Sequence, residues 1–204
     1  MTMEPIAEVV TVSTVEVVAQ CFPPPTLDFP AVPPLGSWVA IDDGNDDGDA
    51  PRSSVLAVVY FAETVPMDGL HRPVALGLSL AELRSQQPQV FATLKTEFRA
   101  LVVGFRRDRR VYHHLPAQPP RLHQMVRRCT IAEVQDITAN PTFVRSLLRP
   151  THVPTEELVA AVLRQAYRDR QGDRPWLVQV GKQLALLLGE DYDRLTAILE
   201  RVYL

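Results

Sequence analysis

This 204-residue chain is short of glycine and cysteine, nearly without lysine, and has no long apolar run. Each shortage excludes something. The two cysteines, Cys21 and Cys129, lie far apart and match no zinc or redox spacing, which suits a reducing, cytoplasmic setting. No apolar stretch approaches the ~18 residues a membrane span needs. No early segment joins a basic head to an apolar run and a small-residue cleavage site, so no membrane partner is expected. A phosphate-wrapping loop needs Gly-x-x-x-x-Gly-Lys-Ser/Thr, because its backbone N–H groups cradle the phosphates. The one Gly-Lys pair, Gly181-Lys182, has Trp176 at the first glycine position and Gln183 at the last. It also falls inside a predicted helix. No Gly-x-Ser-x-Gly nucleophile elbow occurs either. The expectation is a protein without enzymatic activity, cofactor or metal.

What the chain does have is proline, 18 residues against nine glycines, which argues for many stiff connections. Arginine supplies 19 of its 21 basic residues, and the planar guanidinium fork suits carboxylate as well as phosphate. The net charge is only -3, but it is unevenly spread. Residues 1–98 carry 13 acids and 4 bases; residues 99–128 carry 8 arginines and one acid, Asp108; the remainder is nearly balanced, with 9 bases and 10 acids. A strongly basic segment thus follows a strongly acidic one, and the two could neutralise each other.

The N-terminal half reads as β-structure. Ile6–Val12 and Val15–Phe22 are rich in Val and Thr, and three prolines at 23–25 stop the pairing. Pro30–Asp42 is a Pro-rich approach to a strand at Ser37–Ile41. The acidic, Gly-containing run from Asp42 to Ser54 predicts a mobile hairpin loop. Ser54–Ala62 is almost continuously apolar and β-branched, the mark of a strand covered on both faces. Ser79 and Glu82 form a capping-box pattern for a short helix ended by Pro88, and Gln89–Lys95 predicts a second. Phe98–Phe105 and Val111–Leu115 then read as a hairpin turning at Arg106-Arg107-Asp108-Arg109-Arg110. Five or six short strands at this spacing suggest a small barrel.

Beyond Pro119-Pro120 the chain predicts helices. Thr130 with Glu133 is another capping box, and Asn140-Pro141 places a cap before a proline at the first helical position. Three longer helices follow the linker Thr151–Thr155, each with an apolar stripe at helical spacing. Asp173 starts the second of them and Gly189 ends it. The fold class expected is α+β: a small N-terminal β-barrel over 1–125, then a helical region over 126–204 containing a three-helix unit at 155–204.

The strand pattern of the first half, with Gly36-x-x-Val39 and the apolar strand ending at Tyr60, resembles the HAS-barrel domain. This small barrel begins HerA-type DNA-translocating ATPases and is shared with ATP-synthase catalytic subunits. The likeness covers roughly residues 5–125, and the whole chain is similar to stand-alone proteins of cyanobacteria. The resemblance implies a docking and ring-assembly role, and hence protein partners and a homo-oligomer. The missing phosphate loop means that the ATPase activity does not carry over.

Among candidate chemistries, the arginines stand first. Arg106, Arg107, Arg109 and Arg110 on the turn, with Arg121, Arg127 and Arg128 further on, are the expected partner-binding residues. Three readings apply: a solvated turn, a dock for an acidic protein or for the acidic 42–49 loop, and a phosphate-contacting site on nucleic acid with Phe105 or Tyr112 stacking on bases. His113 and His114 are neighbours on a predicted strand and point to opposite faces, so the two cannot readily bind one metal, and His123 lies on another segment beyond a Pro-rich turn. Cys21 and Cys129 read as small core residues despite the Arg127-Arg128 pair. The helix from Leu158 has a mixed surface of Arg164, Arg168 and Arg170 with Glu156, Glu157 and Asp169, which fits a bundle packed on the barrel better than a DNA-reading helix. The function expected is an assembly or adaptor module that binds other proteins, linked to an ATPase or nucleic-acid-processing complex. The alternative is a nucleic-acid-binding protein using the arginine cluster.

Overall fold

The structure is a computed structural model that describes residues 4–43, 53–68, 73–149 and 151–202. Seven antiparallel strands make up the first part: β1 (Pro5–Val12), β2 (Glu16–Cys21), β3 (Trp38–Asp42), β4 (Ser53–Pro66), β5 (Leu94–Arg107), β6 (Arg110–Tyr112) and β7 (Met125–Arg128). Their order is β2-β1-β7-β3-β4-β5-β6, and β2 also pairs with β5. That last pairing closes a six-stranded barrel and leaves β6 as an appendage on β5. The α+β class with an N-terminal barrel is what the sequence predicts.

The barrel interior is narrow, and its residues are correspondingly small. Ala7, Val9, Ala19, Val39, Ala57, Ala100, Val102 and Val126 fill it, with Phe98 as the one aromatic ring. Six strands enclose less space than the eight that side chains of mixed size can fill. The opposite face of β3, β4 and β5 is also covered. Trp38, Leu56, Val58, Tyr60 and Val103 join a second core with the helices. Residues of β4 therefore pack on both faces, Ala57 and Val59 inward and Leu56 and Val58 outward, which accounts for the unbroken apolar run of Ser54–Ala62.

The helices are α1 (Leu80–Gln86), α2 (Val90–Thr93), α3 (Ile131–Thr138), α4 (Val144–Leu147), α5 (Thr155–Asp169), α6 (Arg174–Leu188) and α7 (Tyr192–Val202), with a 3-10 turn at Pro141–Phe143. Both capping boxes form, at Ser79/Glu82 and Thr130/Glu133. Asp173 caps α6 through the Trp176 N–H, and Gly189 closes it at φ 62°. One expectation changes in kind. A single apolar stripe predicts one buried face for α5, yet Leu158 to Leu163 are all buried. This helix sits at the centre, touching α3, α4, α6 and α7. Arg194 on α7 pairs with Glu156 at 2.5 Å, and Arg201 with Glu157 at 2.6 Å, so the acidic first turn of α5 holds the last helix.

Three local readings differ from the structure. The helix expected at Gln89–Lys95 stops at Thr93, and β5 already starts at Leu94, because Val65 and Pro66 extend β4 as its partner. The return strand expected at Val111–Leu115 ends at Tyr112. The helical region expected from residue 126 begins after β7, which pairs with both β1 and β3 and is needed to close the barrel. The stretch 113–124 follows β6 and stays on the barrel. It crosses from β6 to β7, with Leu115 packed against the interior core and His123 donating its N–H to the Val9 carbonyl at 2.9 Å. Most of the acidic loop, residues 44–52, lies outside the described residues.

Candidate functional site

The seven arginines expected to act together separate into three groups. Arg127 is 9% exposed. Its guanidinium donates to Asp42 (Nε to Oδ2 2.6 Å, Nη2 to Oδ1 3.1 Å) and to Glu133 (Nη1 to Oε2 2.8 Å, Nη2 to Oε1 2.9 Å). Arg106 reaches the same Glu133 at 2.6 Å. Glu133 also accepts the Thr130 N–H at 2.8 Å, as the reciprocal half of the α3 capping box. Burial by itself would raise the Glu133 carboxyl. The bonds from Arg127 and Thr130, with the charges of Arg127 and Arg106, more than offset this and bring it to about 2. The hydrogen bond to Glu133 in turn raises Arg127 against the opposing effect of burial. Arg106 and Arg127 are therefore clamps between barrel and helix, their guanidinium groups engaged by Asp42 and Glu133. Replacing Thr130 with alanine should cost about 1–2 kcal/mol in urea denaturation, the value of a lost N-cap, with Glu133 left less firmly oriented.

Arg128 stands apart. It lies near Cys21, whose thiol burial pushes up to about 11 with Arg128 opposing the shift. Cys21 ends β2 and Arg128 ends β7, at the barrel end opposite the hairpin tip. Burial also raises the Cys129 thiol. Both thiols are thus held protonated at neutral pH, the reverse of an activated nucleophile.

The remaining group is Arg107, Arg109, Arg110 and Arg121, all exposed. None of their side chains has a hydrogen-bond or ion-pair partner among the described residues. Three of them sit on the β5–β6 hairpin. Arg107 pairs with Arg110 across the strands, and Asp108 takes the left-handed turn position at φ 56°, which Asp tolerates better than most residues. Register places Phe105 opposite Tyr112, two residues back and hence on the same face as the arginine pair. Their rings stack at 4.8 Å and 12°, and His114 meets both edge-on, at 5.2 and 5.8 Å. The other face carries Val111, packed on the helical core, and Arg106. Gly104 makes the tight approach possible, because a Cβ there would run into the Tyr112 carbonyl oxygen.

The histidines are dispersed for a reason other than strand alternation. His113 and His114 lie beyond the end of β6, His113 half-buried and shifted down by burial, His114 in the aromatic cluster. His123 pairs with Glu8. Among the described residues no group of three His, Cys, Asp or Glu could hold a metal ion, and no helix is long and apolar enough to cross a membrane.

Sequence reasoning missed one cleft. It encloses about 390 Å³ beside β4 and is lined by Val32, Pro34, Leu35, Tyr60, Phe61 and Val153. At this point the β3 partner of β4 has ended at Trp38. Tyr60 donates its hydroxyl to Glu16, and His152 stacks on its ring. Burial, with this bond, raises the phenol. The lining comes from three separate parts of the chain, so no local pattern announces it. No protein-family model matches the chain, and no curated protein matches it in sequence.

Proposed function

We propose that this protein is a non-enzymatic assembly or adaptor module that docks an acidic protein surface on its arginine hairpin. The observation that carries this reading is the Arg107–Arg110 pair. Like charges directly opposite on neighbouring strands destabilise a sheet. Here neither has an ion-pair partner among the described residues, and a bound anion would relieve the repulsion. Complementary charge of this kind speeds encounter and selects partners. The HAS-barrel resemblance supports a docking role, because a small closed barrel is the fold it implies. By that analogy the partner belongs to an ATPase or nucleic-acid-processing complex, in a cytoplasmic setting that suits two unpaired cysteines.

Affinity capture from native lysate should return discrete acidic partners, and the Arg107→Glu, Arg110→Glu double variant should lose them while keeping the parent's circular dichroism spectrum. Equal capture by parent and variant removes the hairpin from the reading. Nucleotide hydrolysis above background by the pure protein overturns its non-enzymatic part. Light scattering reads a homo-oligomer directly.

The second reading is a single-stranded nucleic acid, favoured by the Phe105–Tyr112–His114 cluster beside the arginines, since bases stack on such rings. The protein would then bind an oligonucleotide with a steep salt dependence, and each arginine removed would lower the log–log slope by about 1. The two rings already stack on one another, which leaves each with one face at most for a base and makes this the second choice.

A further inference from the structure

Resting on the docking reading above, we propose that the acidic partner adds an extended segment along the free edge of β6, with an acidic side chain beside Arg110 and, two residues on, an apolar side chain beside Tyr112.

β6 is the terminal strand of the sheet and has β5 as its only neighbour among the described residues. The outer edge of such a strand offers unpaired N–H and C=O groups to an incoming strand. β6 spans only Arg110–Tyr112, so backbone pairing there is brief and side chains must supply the selectivity. Two cross-strand rows are ready to supply it. One is Arg107 and Arg110, cationic and without an ion-pair partner among the described residues; the other is Phe105 and Tyr112, stacked and apolar. The rows are two residues apart on one face. That is about 6.7 Å, the distance between successive same-face side chains of any added strand. An incoming segment in register therefore extends both rows at once. The opposite face is occupied, by Val111 on the helical core and by Arg106 on Glu133, so the added strand is read from one side only.

Charge names the occupant. Three arginines without an ion-pair partner among the described residues, Arg107, Arg109 and Arg110, sit on this hairpin, and Arg110 is on the edge strand itself. A second copy of this chain would bring a second set of exposed arginines to the same edge, and like charges oppose that pairing. An acidic segment with alternating apolar residues meets both rows.

The test titrates the full-length protein at low salt with a fluorescein-labelled peptide, Ser-Glu-Thr-Phe-Thr-Glu-Ser, read by fluorescence anisotropy. Saturable binding is expected, and Arg110→Glu should weaken it at least about tenfold. Two further peptides carry N-methyl groups on alternate backbone amides, in opposite registers. One register blocks the bonds to β6 and should lose at least about tenfold in affinity, while the other should bind as the parent does. These peptides need no protein variant, so a misfolded variant cannot confuse the result. If both methylated peptides bind alike while Arg110→Glu still weakens binding, strand addition is overturned and charge docking stands. If no peptide binds, or an oligothymidylate binds more tightly than the peptide at the same salt, the docking reading itself fails and the strand addition with it.

Discussion

Replacing Gly36 with alanine should lower the unfolding free energy by about 3 kcal/mol, the sum of a left-handed backbone forced on an L-residue and an overpacked contact. Gly36 sits at φ 82°, and a Cβ there would lie 2.7 Å from both the Ala161 carbonyl carbon and the Val162 amide nitrogen. Those are backbone atoms of α5, the most buried helix, so no side-chain rotation relieves the clash. Retreat is costly on the other side too. The Gly36 N–H donates to the Val59 carbonyl at 2.8 Å, and Val59 N–H donates to the Ser37 carbonyl at 2.9 Å. The chain is thus held between β4 and α5, at the contact where barrel and helices share one core. Gly77 is the control: its φ is 69°, and a Cβ added there would meet nothing within 4 Å. Gly77→Ala should cost only the conformational part, about 1 kcal/mol. Urea denaturation of both variants separates the two contributions. Equal losses would show that close packing is not what Gly36 serves.

Arg127→Ala should cost about 3–5 kcal/mol, the usual penalty for removing one partner of a buried ion pair. The loss comes mainly from what is left behind. Glu133 is buried, and without Arg127 it retains only Arg106 and Thr130 among the described residues. Arg127→Met should recover packing along the side-chain stem and still leave the carboxylate short of donors. Combining Arg127→Met with Glu133→Gln should be milder than Arg127→Met alone, because the uncompensated charge is gone. The same site gives a pH signature. Glu133 is depressed from 4.5 to about 2 in the folded protein, so the folded state favours the ionised form. Its stabilising contribution is complete above about 4.5 and is lost as pH falls toward about 2. Glu133→Gln should therefore flatten the stability curve over that range. An unchanged acid slope in this variant would mean that other carboxylates account for it.

Both residues show where local signals stop. Thr130 with Glu133 reads as a capping box, and the box forms. Nothing in that four-residue pattern says that Glu133 also binds Arg127 and Arg106. Arg127 reads as one of a run of cations, yet Asp42, 85 positions earlier, and Glu133 neutralise it. β7 shows the same limit. Of Met125–Arg128, Val126 alone belongs to the interior apolar core, too few residues to display an apolar alternation. The segment is a strand because β1 and β3 leave a gap that it fills.

The sequence by itself determined the order of β-structure before helices, the doubly buried β4, both capping boxes, the cap and stop of α6, and the presence of the arginine hairpin. These depend on residues within one or two turns of one another, where propensity, periodicity and hydrogen bonding act directly. Only the tertiary structure decided how the barrel closes, that Gly36 touches α5, and that Arg106 and Arg127 are clamps while Arg107, Arg109 and Arg110 are exposed. Those outcomes depend on groups far apart in the chain, and a charge shows whether it is spent or free only once the fold has brought its partners together.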